Sequence, residues 1–282
     1  MGKAKKETSK STTPTATAYE VAIEKIFFKY YKRGDVEVQF RKSDIDDVAD
    51  DEEVKAANSG KKLSNPPALV YEFRSRRALP PAIAKTANEG FEWGIELDGK
   101  SRYVFKQMRG MLIEPRPDMA AIPIPDATPE IVEQYALDDE QALLAKIRYN
   151  RLIDIFLCIA TYSLQNHLRT SAEMRPEKGS RSQIEIDEIY VGVDKKGQHY
   201  VIPVQAKGGK DKLSKMQSRQ DIAWCKQRLP ELECRAISAQ FVGDEIVLFL
   251  LKEEGEDIKV EEEKRYKLFR SDKSEVPNGR RS

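Results

Sequence analysis

Two alternating segments joined by a short polar turn constrain this chain more than any other feature. "QIEIDEIYVGV", Gln183 to Val193, and "HYVIPVQAK", His199 to Lys207, both change side-chain character at nearly every second residue, which is the period of a strand. "KKGQ" between them is a turn. Together they predict a β-hairpin. Alternation puts Gln183, Glu185, Asp187 and Ile189 on one face of the first strand. It puts Val201, Pro203, Gln205 and Lys207 on one face of the second. The far end of the second strand then lies near the first half of the first. A carboxylate, a carboxamide and an ammonium group converge at one edge of a sheet. Pro203 has no N–H to give a ladder, so the second strand should be bulged there or paired on one side only.

Such a constellation suits phosphodiester hydrolysis. A carboxylate and a second oxygen ligand can hold Mg²⁺, which takes oxygen atoms in an octahedral shell and keeps several waters. The ion stabilises charge on the scissile phosphate and lowers the pKa of a bound water. Lys207 can neutralise the developing charge or orient the attacking water. Competing chemistries fit less well. His167 and His199 are the two histidines, and with Cys158, Cys225 and Cys234 they make no zinc-type spacing. "AKGGKDKLSK" lacks the spaced glycine and the Gly-Lys-Ser/Thr order of a nucleotide-phosphate loop.

The surrounding sequence predicts a two-part protein. Tyr19, Ile23, Ile26, Phe27 and Tyr30 recur at helical spacing, and Gly34 stops the helix. "KSDIDDVADDEEVKAA" reads as a second, acidic helix with Ser43 as N-cap. A third is capped by Asn65, begun by Pro66 and Pro67 and ended by Pro80 and Pro81. "FEWGIELDGKSRYVFKQ" is a hairpin turning at Asp98-Gly99. Three helices and a hairpin in that order describe a winged helix-turn-helix whose third helix would read DNA. That helix carries Arg74, Arg76 and Arg77, and the wing carries Lys100 and Arg102. The alternative for three arginines on a helix is a solvated face.

The proline-rich stretch 111–130 reads as a linker. After it a long amphipathic helix is expected over about 131–170, with a break near Asp138-Asp139 and with Leu152, Ile155, Phe156, Ile159 and Tyr162 as core positions. Beyond the hairpin come a helix in "KLSKMQSRQDIAWCKQRL", one bent strand or two around Gly243-Asp244, and a last strand in "IKVEEEKRYKLF". Gln217 and Gln220 on the helix can approach the site. The expected division is a disordered tail over 1–17, a winged-helix domain over 18–110, the linker, an α/β domain with a central mixed sheet over 131–270, and a disordered tail over 271–282.

From about Asp126 to Phe269 the order of parts resembles the PD-(D/E)XK nuclease superfamily: helix, strand with Asp187, hairpin, strand ending in Gln205-Ala206-Lys207, helix, strand. The resemblance implies a restriction-endonuclease-like core, Mg²⁺ as cofactor, and Asp187, Gln205 and Lys207 as catalytic residues. It implies a further acid on the first helix as metal ligand beside Asp187 and Gln205, for which Glu173 is chosen, with Glu185 as the alternative. Two positions depart from the family pattern. Ile186 precedes the aspartate where the family has proline, and Gln205 stands where it usually has Glu or Asp.

The function so implied is a type II restriction endonuclease acting on double-stranded DNA as a homodimer, with a cognate DNA methyltransferase as a partner in the same system. A repair or recombination nuclease of the same fold, and a DNA-binding regulator that has lost catalysis through Gln205, stay open. The net charge is only +1, so any nucleic-acid surface must come from local segregation of charge. An odd number of scattered cysteines fits a reducing compartment. The longest apolar run, "LIDIFLCIA", is too short to span a bilayer and contains Asp154. A cytoplasmic protein with no membrane partner is expected.

Overall fold

A computed structural model of the chain describes residues 17–135, 140–175, 180–208, 211–255 and 257–270. Residues 1–16 of the tail expected over 1–17, and the tail expected over 271–282, lie outside the described residues, as does the expected helix break at Asp138-Asp139. Thr17, expected in the first tail, instead caps α1 (Ala18–Tyr30): its hydroxyl accepts from the Glu20 N–H, and the Glu20 carboxylate accepts from the Thr17 N–H.

In the N-terminal part α1 leads to β1 (Glu37–Arg41) and four short helices: α2 (Lys42–Val48), α3 (Glu52–Ala57), α4 (Pro66–Tyr71) and α5 (Pro81–Ala84). Next come β2 (Glu92–Leu97) and β3 (Arg102–Met108). The three strands form an antiparallel sheet in the order β1-β3-β2. The acidic segment expected as one helix is two. The Asp51 carboxylate accepts from the N–H groups of Glu53 and Val54 and starts a fresh helix there. Ser43 is not the cap of α2; the Asp44 carboxylate accepts from the Arg41 N–H at 2.8 Å instead. α1 buries Ile23, Ile26 and Phe27 against the sheet, where the Phe27 ring meets Trp93 and Phe105 edge-on, each at 5.1 Å between centroids.

The stretch expected as a linker is built into the fold. β4 (Leu112–Ile113) pairs with β9 (Leu213–Ser214), and β5 (Ile122–Pro125) adds to the end of the large sheet beside β13 (Asp257–Phe269). An outermost strand tolerates Pro123 and Pro125, since one side of it needs no donors. The long helix expected over 131–170 is also corrected. α6 (Glu130–Tyr135), α7 (Glu140–Tyr149) and α8 (Leu152–Leu157) give way to a sixteen-residue strand, β6 (Ala160–Arg175). Arg151 and Cys158 adopt left-handed backbone conformations that end each helical stretch. The Asp154 carboxylate then accepts from both the N–H and hydroxyl of Thr161, turning the chain outward. Tyr162 and Leu164 are mostly exposed, and pairing with β7 outweighs their helical spacing.

The large sheet is mixed, with eight strands in the order β5-β13-β12-β11-β8-β7-β6 and β10 attached beside β8. Here β7 is Ser180–Val193, β8 His199–Lys207, β10 Glu233–Cys234, β11 Ala236–Val242 and β12 Glu245–Glu254. β7 and β8 are the antiparallel hairpin expected from their alternation. On one face Leu143, Ile147 and Phe156 of α7 and α8 pack on Ile202, Val204 and Ala206. On the other, α9 (Lys215–Arg228) sets Ile222 on Val247 and Phe249, and Cys225 near Val201. Pro203 falls where it costs least. β8 pairs with β10 at Tyr200 and Val201 and with β11 from Val204 onward, so the proline occupies the interval between the two partners. Among the described residues no helix is long and apolar enough to cross a membrane.

Candidate active site

The β7–β8 ladder runs from Val193 opposite His199 to Glu188 opposite Val204 and stops there. β8 continues, but its last residues pair with β11, Gln205 opposite Ser238 and Lys207 opposite Gln240. The two strands of the hairpin therefore part at Asp187. Its Oδ2 accepts from the Ala206 N–H at 2.8 Å, so a side chain replaces the ladder bond and ties the mouth of the fork. Burial pushes the Asp187 carboxyl above its usual range; the Ala206 N–H and the Lys207 ammonium hold it back, while Glu140 and Glu185 push it further up. On the opposite face Glu188 is fully buried and ion-paired to Arg148 of α7, which anchors the residue next to Asp187.

Gln205 is 2 % exposed, and its Oε1 has no hydrogen-bond partner. Lys207 shares its strand face and reaches Glu140 Oε1 at 3.8 Å. Behind them Asp221 of α9 is buried, and its carboxyl is pushed well above the usual range, first by burial and then by Asp187 and Cys234, with Lys207 opposing. Asp187 and Lys207 open onto a cleft of about 630 Å³ shared with Glu185, Gln217, Gln220 and Arg74. Gln217 Oε1 is also buried without a partner. Glu185 is turned to its own partners, His167 Nδ1 at 3.2 Å and Arg169 Nε at 3.3 Å.

The structure sets Asp187 and Lys207 in one cleft with Gln217 and Gln220, and leaves Gln205 buried beside it, next to the Ala206 whose N–H Asp187 accepts. It does not bring Glu173. That residue lies on β6, not at a helix end, opposite Arg181 and ion-paired to it at 3.2 Å. Six residues of extended β7 separate Arg181 from Asp187, roughly 20 Å. The acid on the first helix that does approach is Glu140, the first residue of α7. The acidic run Asp138-Asp139-Glu140 in the sequence is the signal that could have pointed to it.

The arginines of α4 are distributed differently from a uniform reading face. After Tyr71 the helix widens into a π turn over Glu72–Arg76. Phe73 goes to the core, and Arg77 is tied to Glu72 at 2.6 Å and Glu20 at 3.8 Å. Arg74 points away from Phe73 into the cleft, and its Nη2 donates to Gln220 Oε1 at 2.8 Å. The Arg76 side chain is not among those described. Lys100 and Arg102 are exposed at the β2–β3 turn, beside Arg41 and Lys42.

Among the described residues no three His, Cys, Asp or Glu side chains gather as a metal cluster. The oxygens around the fork are of mixed charge: Asp187, bonded to the Ala206 N–H, the unpartnered buried Gln205 Oε1, and Glu140, which Lys207 reaches. An amide oxygen buried without a donor costs about 1–3 kcal/mol, and a hard cation taking oxygen ligands would satisfy it. The donor set thus fits Mg²⁺. Comparison of the chain with protein-family models, with curated proteins and with solved structures found no match.

Proposed function

We propose that the protein is a Mg²⁺-dependent endonuclease that hydrolyses phosphodiester bonds in double-stranded DNA. One observation carries the reading: the parted ends of β7 and β8 set Asp187 and Lys207 in the lining of an open polar cleft, with Gln205 buried two residues before Lys207 on the same strand face. Asp187, Gln205 and Glu140 would hold the ion, which when bound polarises the phosphate and acidifies a water. Asp187 is kept in place by the Ala206 N–H. Lys207, little exposed and close to Glu140, is positioned to offset negative charge on the phosphate in the transition state.

The order helix, strand, helices, hairpin in the N-terminal part supports a winged-helix reading, and the sheet with its fork supports a restriction-endonuclease-like core. Arg41, Lys42, Lys100 and Arg102 at the hairpin turn give this part a local basic surface despite the low net charge, suited to duplex phosphates. A type II restriction enzyme working as a homodimer, cytoplasmic and paired with a methyltransferase of the same specificity, is the form we propose. The neutral Gln205 favours one other reading, a DNA-binding regulator without catalysis.

The test is incubation of the purified chain with plasmid DNA and Mg²⁺, followed by sequencing of the ends. Cutting at fixed positions is expected, lost in Asp187→Ala and Lys207→Ala with duplex binding retained. Ends scattered over all sequences would argue against type II specificity. Cutting by both variants at the wild-type rate would overturn the catalytic assignment.

A further inference from the structure

Arg74 is a partly buried cation in the wall of the cleft. Its guanidinium is pushed below its ordinary pKa first by burial, and among the described residues it forms no ion pair with a carboxylate. Its Nε is buried and unpartnered, and among the described residues its hydrogen bond goes to a neutral amide, Gln220 Oε1. Glu96, whose field reaches it, is engaged with Arg219 at 3.4 Å. A charge left so is costly unless something of opposite sign arrives.

The local backbone is what sends Arg74 there. A π turn carries an extra residue per turn and rotates the residues after it relative to an α-helix. Here it lets Phe73 fill the core of the N-terminal part and Arg77 close on Glu72, while Arg74 leaves the helix toward the other half of the molecule. Opposite stand Lys207 and Asp187, with Gln217 and Gln220 along one wall and Tyr71 beside Arg74. An arginine fork next to amide donors, facing an open cleft, matches the oxygens of a phosphate group.

We propose that Arg74 is a phosphate-binding residue of the cleft itself, so that the N-terminal part completes the cleavage site as well as reading DNA. The ligand class is a phosphate anion, in the full reaction a backbone phosphate of the substrate next to the one held at Asp187 and Lys207. Its arrival pairs the guanidinium and engages the vacant Nε–H. The identity of the substrate rests on the nuclease reading above; anion binding at Arg74 does not.

The experiment separates the two. Thermal unfolding is followed in EDTA with inorganic phosphate titrated against chloride at matched ionic strength. Wild type is expected to gain stability with phosphate beyond the chloride control. Arg74→Gln should need at least tenfold more phosphate for the same gain, and Arg74→Lys should fall between. Arg77→Gln, one residue past the same turn but already paired to Glu72, should respond as wild type. Without phosphate, Arg74→Gln should melt at or above wild type, because a partly buried charge is gone. Binding of a short DNA duplex in EDTA should weaken about tenfold in Arg74→Gln. An unchanged phosphate response in Arg74→Gln, an equal loss in Arg77→Gln, or no response in wild type would each overturn the proposal. If wild type fails to cut DNA, the nuclease reading falls while the phosphate titration still decides the role of Arg74.

Discussion

Removing Arg148 tests whether the fork at Asp187 is held by the ion pair behind it. Glu188 is completely buried, and its Oε1 receives Arg148 Nε at 3.0 Å, Arg148 Nη2 at 2.9 Å and the Ser163 hydroxyl at 2.5 Å. Its Oε2 has no partner, so the whole compensation of the carboxylate enters through one oxygen. Arg148→Ala leaves a buried carboxylate with only neutral donors, the Ser163 hydroxyl and the Asn166 amide, which should cost about 3–5 kcal/mol at neutral pH. At about 2–4 °C per kcal/mol for chains of this size, the melting temperature should fall by roughly 10 °C. Replacing both partners, Arg148→Met with Glu188→Leu, should recover most of the loss. Urea unfolding of the four forms at pH 7 gives the coupling energy. A single-variant cost below about 1 kcal/mol at pH 7, or costs that merely add in the double variant, would refute the reasoning.

Gln205→Glu places a carboxylate where the amide oxygen lacks a donor, so the Mg²⁺ concentration that half-stabilises the protein should fall. Gln205→Leu should raise it strongly with little loss of stability in EDTA, and an unchanged Mg²⁺ titration would remove Gln205 from the site. Asp221→Asn should stabilise the metal-free protein at pH 7, because a carboxyl held above its usual range withdraws stability as pH rises through the unfolded value of about 4. The gain should vanish below that pH, and a uniform effect across pH would argue against it. Asp44, though opposed by burial, is pulled below its usual range by the Lys29 ammonium at 2.6 Å, the Tyr30 hydroxyl at 2.5 Å and the Arg41 N–H. It contributes stability above the unfolded value that is lost as pH falls through its lowered folded pKa. Asp44→Asn should therefore cost about 1.5–3 kcal/mol at pH 7 and progressively less in acid, as read by chemical unfolding.

The hairpin of β7 and β8 was legible because its side chains alternate strongly and its turn is short. The same alternation put Asp187, Gln205 and Lys207 on facing positions, which is a local matter of strand geometry. The fate of β6 is not decided locally. Residues 160–170 carry helical spacing of apolar groups, and only pairing with β7 and the Asp154–Thr161 turn make them a strand. The misplacing of Glu173 has the same cause, since a residue assigned to the end of a helix was in fact far along a ribbon. Glu140 approaches Lys207 through tertiary packing and Arg74 reaches the cleft through a π turn, and neither leaves a periodic trace. Pro203 was readable as a constraint, but its interval between β10 and β11 depends on where two other strands happen to end.

The two outermost strands of the large sheet bear on how copies of the chain can meet. β5 exposes an edge on which every second residue is proline, so half of its positions can donate nothing. β6 is long enough to template another strand, yet its register shifts twice and His167 adopts a left-handed conformation midway. Both devices spoil a continuous row of donors and acceptors. A neighbouring copy therefore finds no straight border to zip onto, and growth of the sheet from molecule to molecule into a fibre is blocked at both ends.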